Sequence, residues 1–273
     1  MRKRGLSWIC FLFFLVGVSV WFSALLYQRE TAAALRAQVT ESDSFRQMKL
    51  SEYSLCQLSN AVDEGLTPGE VLTTLYPFCR KGTFSWPKQW DGKALSSWRS
   101  ALLKENRSGY QAVWSAYAAI WDDIECFPVA AGTVSYENTW MFERTYGGLR
   151  GHEGTDLMPA ENLAGVYPVV SMTDGVVEKV GWLEQGGYRI GIRSPSGGYF
   201  YYAHLDSYAR EFAVGDSVYA GERLGLMGDT GYGEEGTRGM FDVHLHLGIY
   251  IRTEQSQEQS VNPYWVLRYA ELM

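Results

Sequence analysis

Histidine and cysteine are scarce, at four each in 273 residues. Any metal or redox site must therefore draw on a short list of side chains. No CxxC pair occurs, which argues against a cysteine-rich zinc module. Basic side chains are outnumbered, 24 Lys and Arg against 31 Asp and Glu, for a net charge of −7. That balance excludes a general nucleic-acid binder, which needs a cationic face to neutralise phosphates. Disorder is excluded from the other side, because 46% of the residues are apolar and 15% aromatic. The length suits one or two domains.

Charge is absent altogether from Leu6 to Tyr27. A helix needs about 20 apolar residues to span the hydrocarbon core. Arg2, Lys3 and Arg4 precede the run, and the positive-inside rule places them in the cytoplasm with the rest of the chain exported. A cleaved signal peptide is the competing reading. The run is longer than a signal's apolar region, and Phe22 stands where a small residue is wanted in Phe22-Ser23-Ala24. Residues 6–27 therefore read as an uncleaved membrane anchor behind a basic tail, residues 1–5.

Residues 28–49 are polar and rich in Ala, Glu and Gln, and read as a helical stalk or a linker. Residues 50–126 read as a small helical unit. Leu55, Leu58 and Val62 have helical spacing and predict a helix ending near Gly65. Thr67-Pro68-Gly69-Glu70 has the form of a capping box with proline at the first helical position. Tyr110, Val113, Trp114, Tyr117, Ile120, Trp121 and Ile124 recur at steps of three and four, one apolar face of a helix of about four turns. The tryptophans of this unit read as helix-packing residues rather than a glycan-stacking surface. Cys56, Cys79 and Cys126 would be exported, and a Cys56–Cys79 disulfide is compatible with two adjacent short helices.

At Phe127-Pro128 the composition shifts. Residues 128–273 hold 22 of the 29 glycines, all four histidines, and 10 basic against 19 acidic residues, a net of −9. Short alternating runs replace the helical spacing. Val169–Met172 and Val176–Val180 read as strands paired around a turn. Tyr188–Arg193 and Tyr199–Leu205 read as a second hairpin, and Asp242–Arg252 as a further strand. Without β-α alternation, residues 127–273 read as an antiparallel all-β domain. The whole chain is then α+β by segments: transmembrane helix, helical unit, β domain.

His152 and Asp156 stand four apart in GHEGTD, and His244 and His246 two apart in DVHLHL, where strand geometry turns both imidazoles to one face. His204 follows Tyr202-Ala203. Two histidines and one carboxylate from this set meet the need of a catalytic zinc for three N/O ligands and an open position, and two histidines remain for the substrate. Tyr202 shares the strand face of His204 and is the tyrosine expected to line the groove, with Asp206 of the same parity placed to orient His204. Glu153 reads as a surface residue. The acidic balance of the segment would favour cationic amines in a substrate.

These motifs resemble the lysostaphin/LytM-type zinc metallopeptidases over about residues 128–273. The resemblance extends to Tyr167-Pro168-Val169-Val170, Asp174-Gly175-Val176-Val177, Tyr202-Ala203-His204-Leu205 and the glycine-rich run Val214–Gly231. It implies a compact antiparallel β fold with a groove over one Zn(II) per chain. His152, Asp156 and His246 would be the zinc ligands, and His204 and His244 the catalytic histidines. The implied activity is hydrolysis of peptide bonds in bacterial peptidoglycan at the outer face of the cytoplasmic membrane. The alternative is a zinc-binding scaffold that regulates wall hydrolases or joins a division or sporulation complex, with residues 50–126 as the partner-binding part. Two departures from the family pattern, Asp242-Val243 before H-x-H and the charged loop Gly233–Met240, could narrow the groove.

Overall fold

The fold is that of a computed structural model, which describes residues 2–79, 83, 84, 86–146 and 148–273. It opens with helix α1 (Arg2–Ala33). Within α1, Phe11–Ala33 is long and apolar enough to cross a membrane, and its most apolar window buries nothing against the rest of the protein. At 1.5 Å per residue these 23 residues span about 34 Å.

The stretch expected as a stalk divides in two. Helix α1 runs on through Ala33, but the residues after it fold onto the body. A 3-10 turn (Ala37–Glu41) leads to α2 (Asp43–Gln47), capped by the Ser42 hydroxyl, which accepts from the Phe45 amide. Leu35, Phe45 and Met48 are wholly buried. The polar composition hid three apolar side chains spaced to enter a core.

Helix α3 (Glu52–Asp63) stops just before Gly65, which takes φ +89°. Helix α4 (Pro68–Leu75) starts with the foreseen box: the Thr67 hydroxyl accepts from the Glu70 amide, and Glu70 accepts from the Thr67 amide. Helices α5 (Gly92–Glu105) and α6 (Arg107–Trp121) are capped by Asp91 and Asn106. The Asn106 amide also donates to the carbonyls of Ala32 and Leu35, both at 2.8 Å, tying the end of α1 to the start of α6. The apolar face of α6 buries Tyr110, Val113, Tyr117, Ile120 and Trp121. Trp121 is wholly buried, and Trp86, Trp90 and Trp98 pack partly buried on the same core, as helix-packing residues do.

No disulfide joins Cys56 to Cys79; both thiols are free, as is that of Cys126. Cys56 is exposed on α3, while Cys79 lies 3.8 Å from the Leu75 carbonyl and its thiol is pushed up to about 12 by burial.

Among the described residues twelve strands follow: β1 (Val134–Tyr136), β2 (Glu143–Arg144), β3 (Arg150–Gly151), β4 (Thr155–Pro159), β5 (Pro168–Val170), β6 (Gly175–Leu183), β7 (Gly187–Arg193), β8 (Tyr199–Tyr208), β9 (Ser217–Val218), β10 (Arg223–Met227), β11 (Leu245–Ile251) and β12 (Gln259–Val261). Helix α7 (Tyr264–Ala270) closes the chain. The main sheet runs β1-β4-β11-β8-β7-β6-β9, with β10 joining β5 to β8 and β12 on β11; β2 and β3 form a separate ribbon. Every ladder between these strands is antiparallel. The β7–β8 hairpin forms as expected. The earlier pair does not: β5 pairs with β10, and β6 with β7 and β9. The intervening turn is held by the 220–222 segment, through Gly221 N to Ser171 O, Ser171 N to Glu222 O and Ala220 N to the Asp174 carboxylate.

Apolar residues of β4, β7, β8 and β11 pack against the helices in one continuous core. The approach is close at Gly198, where any Cβ would run into the Ala119 carbonyl of α6.

Candidate metal centre

Strand register assembles the centre. Asp156 on β4 lies opposite His246 on β11, and His246 lies opposite Ala203 on β8. His152 enters from the end of β3. Between His152 and Asp156, Gly154 packs under the His246 ring, where a Cβ would come within 2.5 Å of its Cε1. Three donor atoms converge: His152 Nε2 is 3.0 Å from Asp156 Oδ1, His246 Nδ1 is 2.9 Å from the same oxygen, and the two nitrogens are 3.0 Å apart. His152, Asp156 and His246 form the group that could hold a metal ion among the described residues.

Two of the three donors are braced from behind. His152 Nδ1 lies 3.2 Å from the Thr139 carbonyl and 3.1 Å from its hydroxyl. With Nδ1 turned to that loop and to Arg144 Nη2, 3.1 Å away, the ring directs Nε2 toward the cluster, the orientation of a metal-ligating histidine. Arg144 Nη2 donates to Asp156 Oδ2 at 2.6 Å, the oxygen that the histidines do not use. Burial works against charge on Asp156. Hydrogen bonds from His152 and His246, with the charges of His246 and His244, nevertheless hold its carboxyl well below the usual range. Burial lowers His246 more than Asp156 raises it, which favours neutral imidazole. Two imidazoles and one carboxylate with donor atoms this close together are the donor set of a catalytic zinc. The residues fit the group.

His204 and His244 stand beside the cluster with ring centroids 4.6 Å apart. His204 Nδ1 donates to the Thr230 carbonyl at 2.8 Å, and His244 Nδ1 to the Asp242 carbonyl at 2.7 Å. Buried and neutral, His204 is left with an unprotonated Nε2, while the Nε2 of His244 lies 3.8 Å from Asp156 Oδ1. Burial, with the charges of His244 and His246, pushes His204 well below the ordinary histidine value. All five residues singled out in the sequence thus line one cleft of about 570 Å³.

The two neighbours expected to serve the cleft do not. Tyr202 is wholly buried in the core, its hydroxyl accepting from the Met172 amide, while Tyr201 lines the cleft with its ring 6.0 Å from that of His246. Strict alternation fails because His204 takes φ +61° at a shift in the β7–β8 register. This bulge turns His204 to the face of Tyr201. Asp206 does not orient His204 either; it is claimed by Arg238, at 2.6 Å to the carboxylate and 2.8 Å to the carbonyl. Glu153 is exposed, as expected. The cleft is not acidic in character: Arg144, Arg150, Lys179 and Arg189 all line it. Net charge counted along a segment says nothing about which side chains share a wall.

Of the two departures before H-x-H, Asp242 faces away and accepts from Asn162 at 2.9 Å. Phe241, at the end of the charged loop, packs on His204 with centroids 4.5 Å apart. Sequence reading missed Arg144, Thr139 and Thr230. Arg144 lies in a two-residue strand and Thr139 in a loop, with no local pattern; Thr230 stood only within the glycine-rich run.

The pattern for peptidase family M23 matches residues 150–263. A crystal structure of a candidate glycyl-glycine endopeptidase lytM from Ruminococcus gnavus ATCC 29149 is 48% identical and covers 86% of this chain and 92% of that one, with a TM-score of 0.73. The chain belongs to peptidase family M23. Coverage of 86% exceeds what residues 127–273 alone can supply, so the likeness of this M23 chain extends into its helices. The L-Ala–D-Glu endopeptidase of Bacillus subtilis strain 168 is 41% identical over 162 residues, 59% of this chain and 48% of the relative. The M23 chain therefore spans about half the length of that curated relative. The catalytic domain of lysostaphin from Staphylococcus simulans is 27% identical, covering 50% of this chain and 92% of that one at a TM-score of 0.39.

Proposed function

We propose that this M23 chain is an extracytoplasmic zinc endopeptidase that hydrolyses peptide bonds of bacterial peptidoglycan. It would be tethered to the cytoplasmic membrane by α1. The observation that carries the reading is the convergence of His152 Nε2, Asp156 Oδ1 and His246 Nδ1 within 3.0 Å, beside two imidazoles whose Nε2 atoms face the cleft. The two relatives named above are both called endopeptidases, which supports the reaction class.

His152, Asp156 and His246 would hold one zinc ion. Bound there, zinc supplies a Lewis acid for the peptide carbonyl and acidifies water toward a pKa of about 7. Burial keeps His204 neutral, which suits it to accept a proton from water. His244, the less enclosed of the pair in its hydrogen bonding to a loop carbonyl, is placed to donate to the developing oxyanion and to the leaving amine. Arg144 would hold the Asp156 carboxylate in place through its second oxygen. Thr139 would orient the His152 ring, and the Thr230 carbonyl would set the tautomer of His204.

The uncharged run of α1 behind Arg2, Lys3 and Arg4 supports an anchor with its N-terminus inside and the M23 part outside. On this reading residues 6–27 anchor the chain and residues 127–273 are its catalytic part.

The test is mass spectrometry of purified peptidoglycan incubated with the full chain in detergent. Zinc-loaded protein, chelator-treated protein and His244→Ala run side by side. New peptide termini are expected with zinc-loaded wild type alone. One zinc bound per chain with no new termini on any wall type would overturn the reading in favour of a scaffold.

A further inference from the structure

From residue 128 onward the chain has ten basic side chains, and seven of them lie against a carboxylate. Among the described residues, Arg150, Arg189 and Arg223 have no carboxylate partner. Arg223 is exposed on β10. Arg150, on β3, and Arg189, on β7, both line the cleft that holds the His–Asp cluster. Each has a guanidinium nitrogen, Arg150 Nε and Arg189 Nη1, that is buried with no hydrogen-bond partner. The Tyr199 hydroxyl on the same cleft is buried and unpartnered as well.

The other cleft charges are spoken for. Arg144 pairs with Asp156, and Lys179 with Glu258. Glu153 remains, exposed and facing neither arginine within ion-pair distance. The unpaired charge in the cleft is therefore two guanidinium groups against one carboxylate, on a segment whose net charge is −9. Both arginines also act on Tyr201: burial pushes its phenol up to about 12, and the charges of Arg189 and Arg150 pull it back. Tyr201, whose ring stands 6.0 Å from that of His246, lines the same cleft.

A buried charged donor without an acceptor is costly to keep. Its natural acceptor here is one that arrives with the substrate. A guanidinium presents a planar fork of donors matched to a carboxylate. Carbonyl oxygens of a glycine run could accept single hydrogen bonds but would leave both charges unneutralised.

We infer that Arg150 and Arg189 form an anion subsite in the cleft, selecting peptides that carry a free carboxylate beside the bond presented to the His–Asp cluster. The inference rests on the reading of the cleft as a peptidase site, and it narrows the substrate to an acidic peptide.

The test uses two peptides identical except for one residue beside the scissile bond, glutamate with its free carboxylate or the corresponding amide. Binding of each to the full chain in detergent is measured by isothermal titration calorimetry, with zinc and after chelation, and cleavage is followed separately. Wild type is expected to bind the acid about 10- to 100-fold more tightly than the amide, the range of a charge-assisted hydrogen bond. Arg189→Gln and Arg150→Gln should each erase most of that preference through KM rather than kcat, and Arg189→Lys should restore part of it. Arg223→Gln, outside the cleft, should leave the preference intact. Circular dichroism confirms that each variant folds. Equal binding of the two peptides by wild type, or an undiminished preference in the folded Arg150→Gln, Arg189→Gln double variant, would overturn the subsite. Acid-selective binding without cleavage would uphold the subsite and count against the peptidase reading.

Discussion

Arg144 donates to the Asp156 oxygen that faces away from the histidines, at 2.6 Å, while His152 and His246 share the other. The guanidinium thereby fixes the plane of the carboxylate and leaves Oδ1 as the single donor to the centre. Replacing Arg144 with Gln should weaken zinc binding by about 10- to 100-fold, the usual cost of losing an outer-sphere partner. Arg144→Lys should lose less, since it keeps the charge but not the fork. Competition against a fluorescent chelator measures both. Unaltered zinc affinity in Arg144→Gln would show that the carboxylate is held by the histidines alone.

Four polar residues of the centre should separate into two classes. His152→Ala, Asp156→Ala and His246→Ala should each drop bound zinc well below one per chain and abolish cleavage. His244→Ala should keep one zinc and lose about 10²- to 10⁴-fold in kcat, the span of general acid–base catalysis. Elemental analysis and turnover on one preparation distinguish them. Loss of zinc in His244→Ala would move that residue into the ligand set.

What was legible in the sequence was what is local. The Thr67–Glu70 box needs only four residues, and the H-x-H pair only a strand. Asp156 and His246 met because each already sat in a strand whose register the apolar pattern sets. Tyr201 and Tyr202 show where this fails. Parity counted back from His204 selected Tyr202, but the positive φ of His204 breaks the count. That conformation depends on contacts with Gly186 and Thr230, remote in sequence. Arg144 and the strand partner of β5 were hidden for the same reason. Tyr202→Phe should accordingly lower stability by about 1–3 kcal/mol, the cost of an unsatisfied Met172 amide, with zinc binding unchanged. Urea unfolding and zinc titration check the two halves; weakened zinc binding would place Tyr202 nearer the cleft than its burial indicates.

The free cysteines should differ sharply in reactivity. Cys56 is exposed on α3, whereas burial pushes the Cys79 thiol up to about 12 and raises that of Cys126. Since the thiolate is the nucleophile, Cys79 at pH 8 holds only about one ten-thousandth of its population in reactive form. Brief alkylation of the native chain followed by peptide mapping should label Cys56 far ahead of Cys79. A Cys56–Cys79 linked peptide in the unreduced digest would contradict the packing of α3 and α4.

His204 links the centre to acid stability. Its imidazole is buried neutral, disfavoured as a cation first by burial and then by His244 and His246, with only Asp156 and the Thr230 carbonyl opposing. In the unfolded chain it titrates near 6.5. Below that pH the unfolded state binds a proton that the folded state refuses, so stability falls with acidification, by up to about 1.4 kcal/mol per pH unit until the lowered folded value is reached. His204→Asn keeps an amide donor for the Thr230 carbonyl and removes the titration. In chelator-treated protein, so that metal release adds nothing, the drop in Tm from pH 7 to pH 5 should be smaller in His204→Asn than in wild type, even if the variant starts lower. Parallel Tm profiles over that range would mean that His204 accepts its proton in the folded state. It would then be free to act as an acid as well as a base in the cleft.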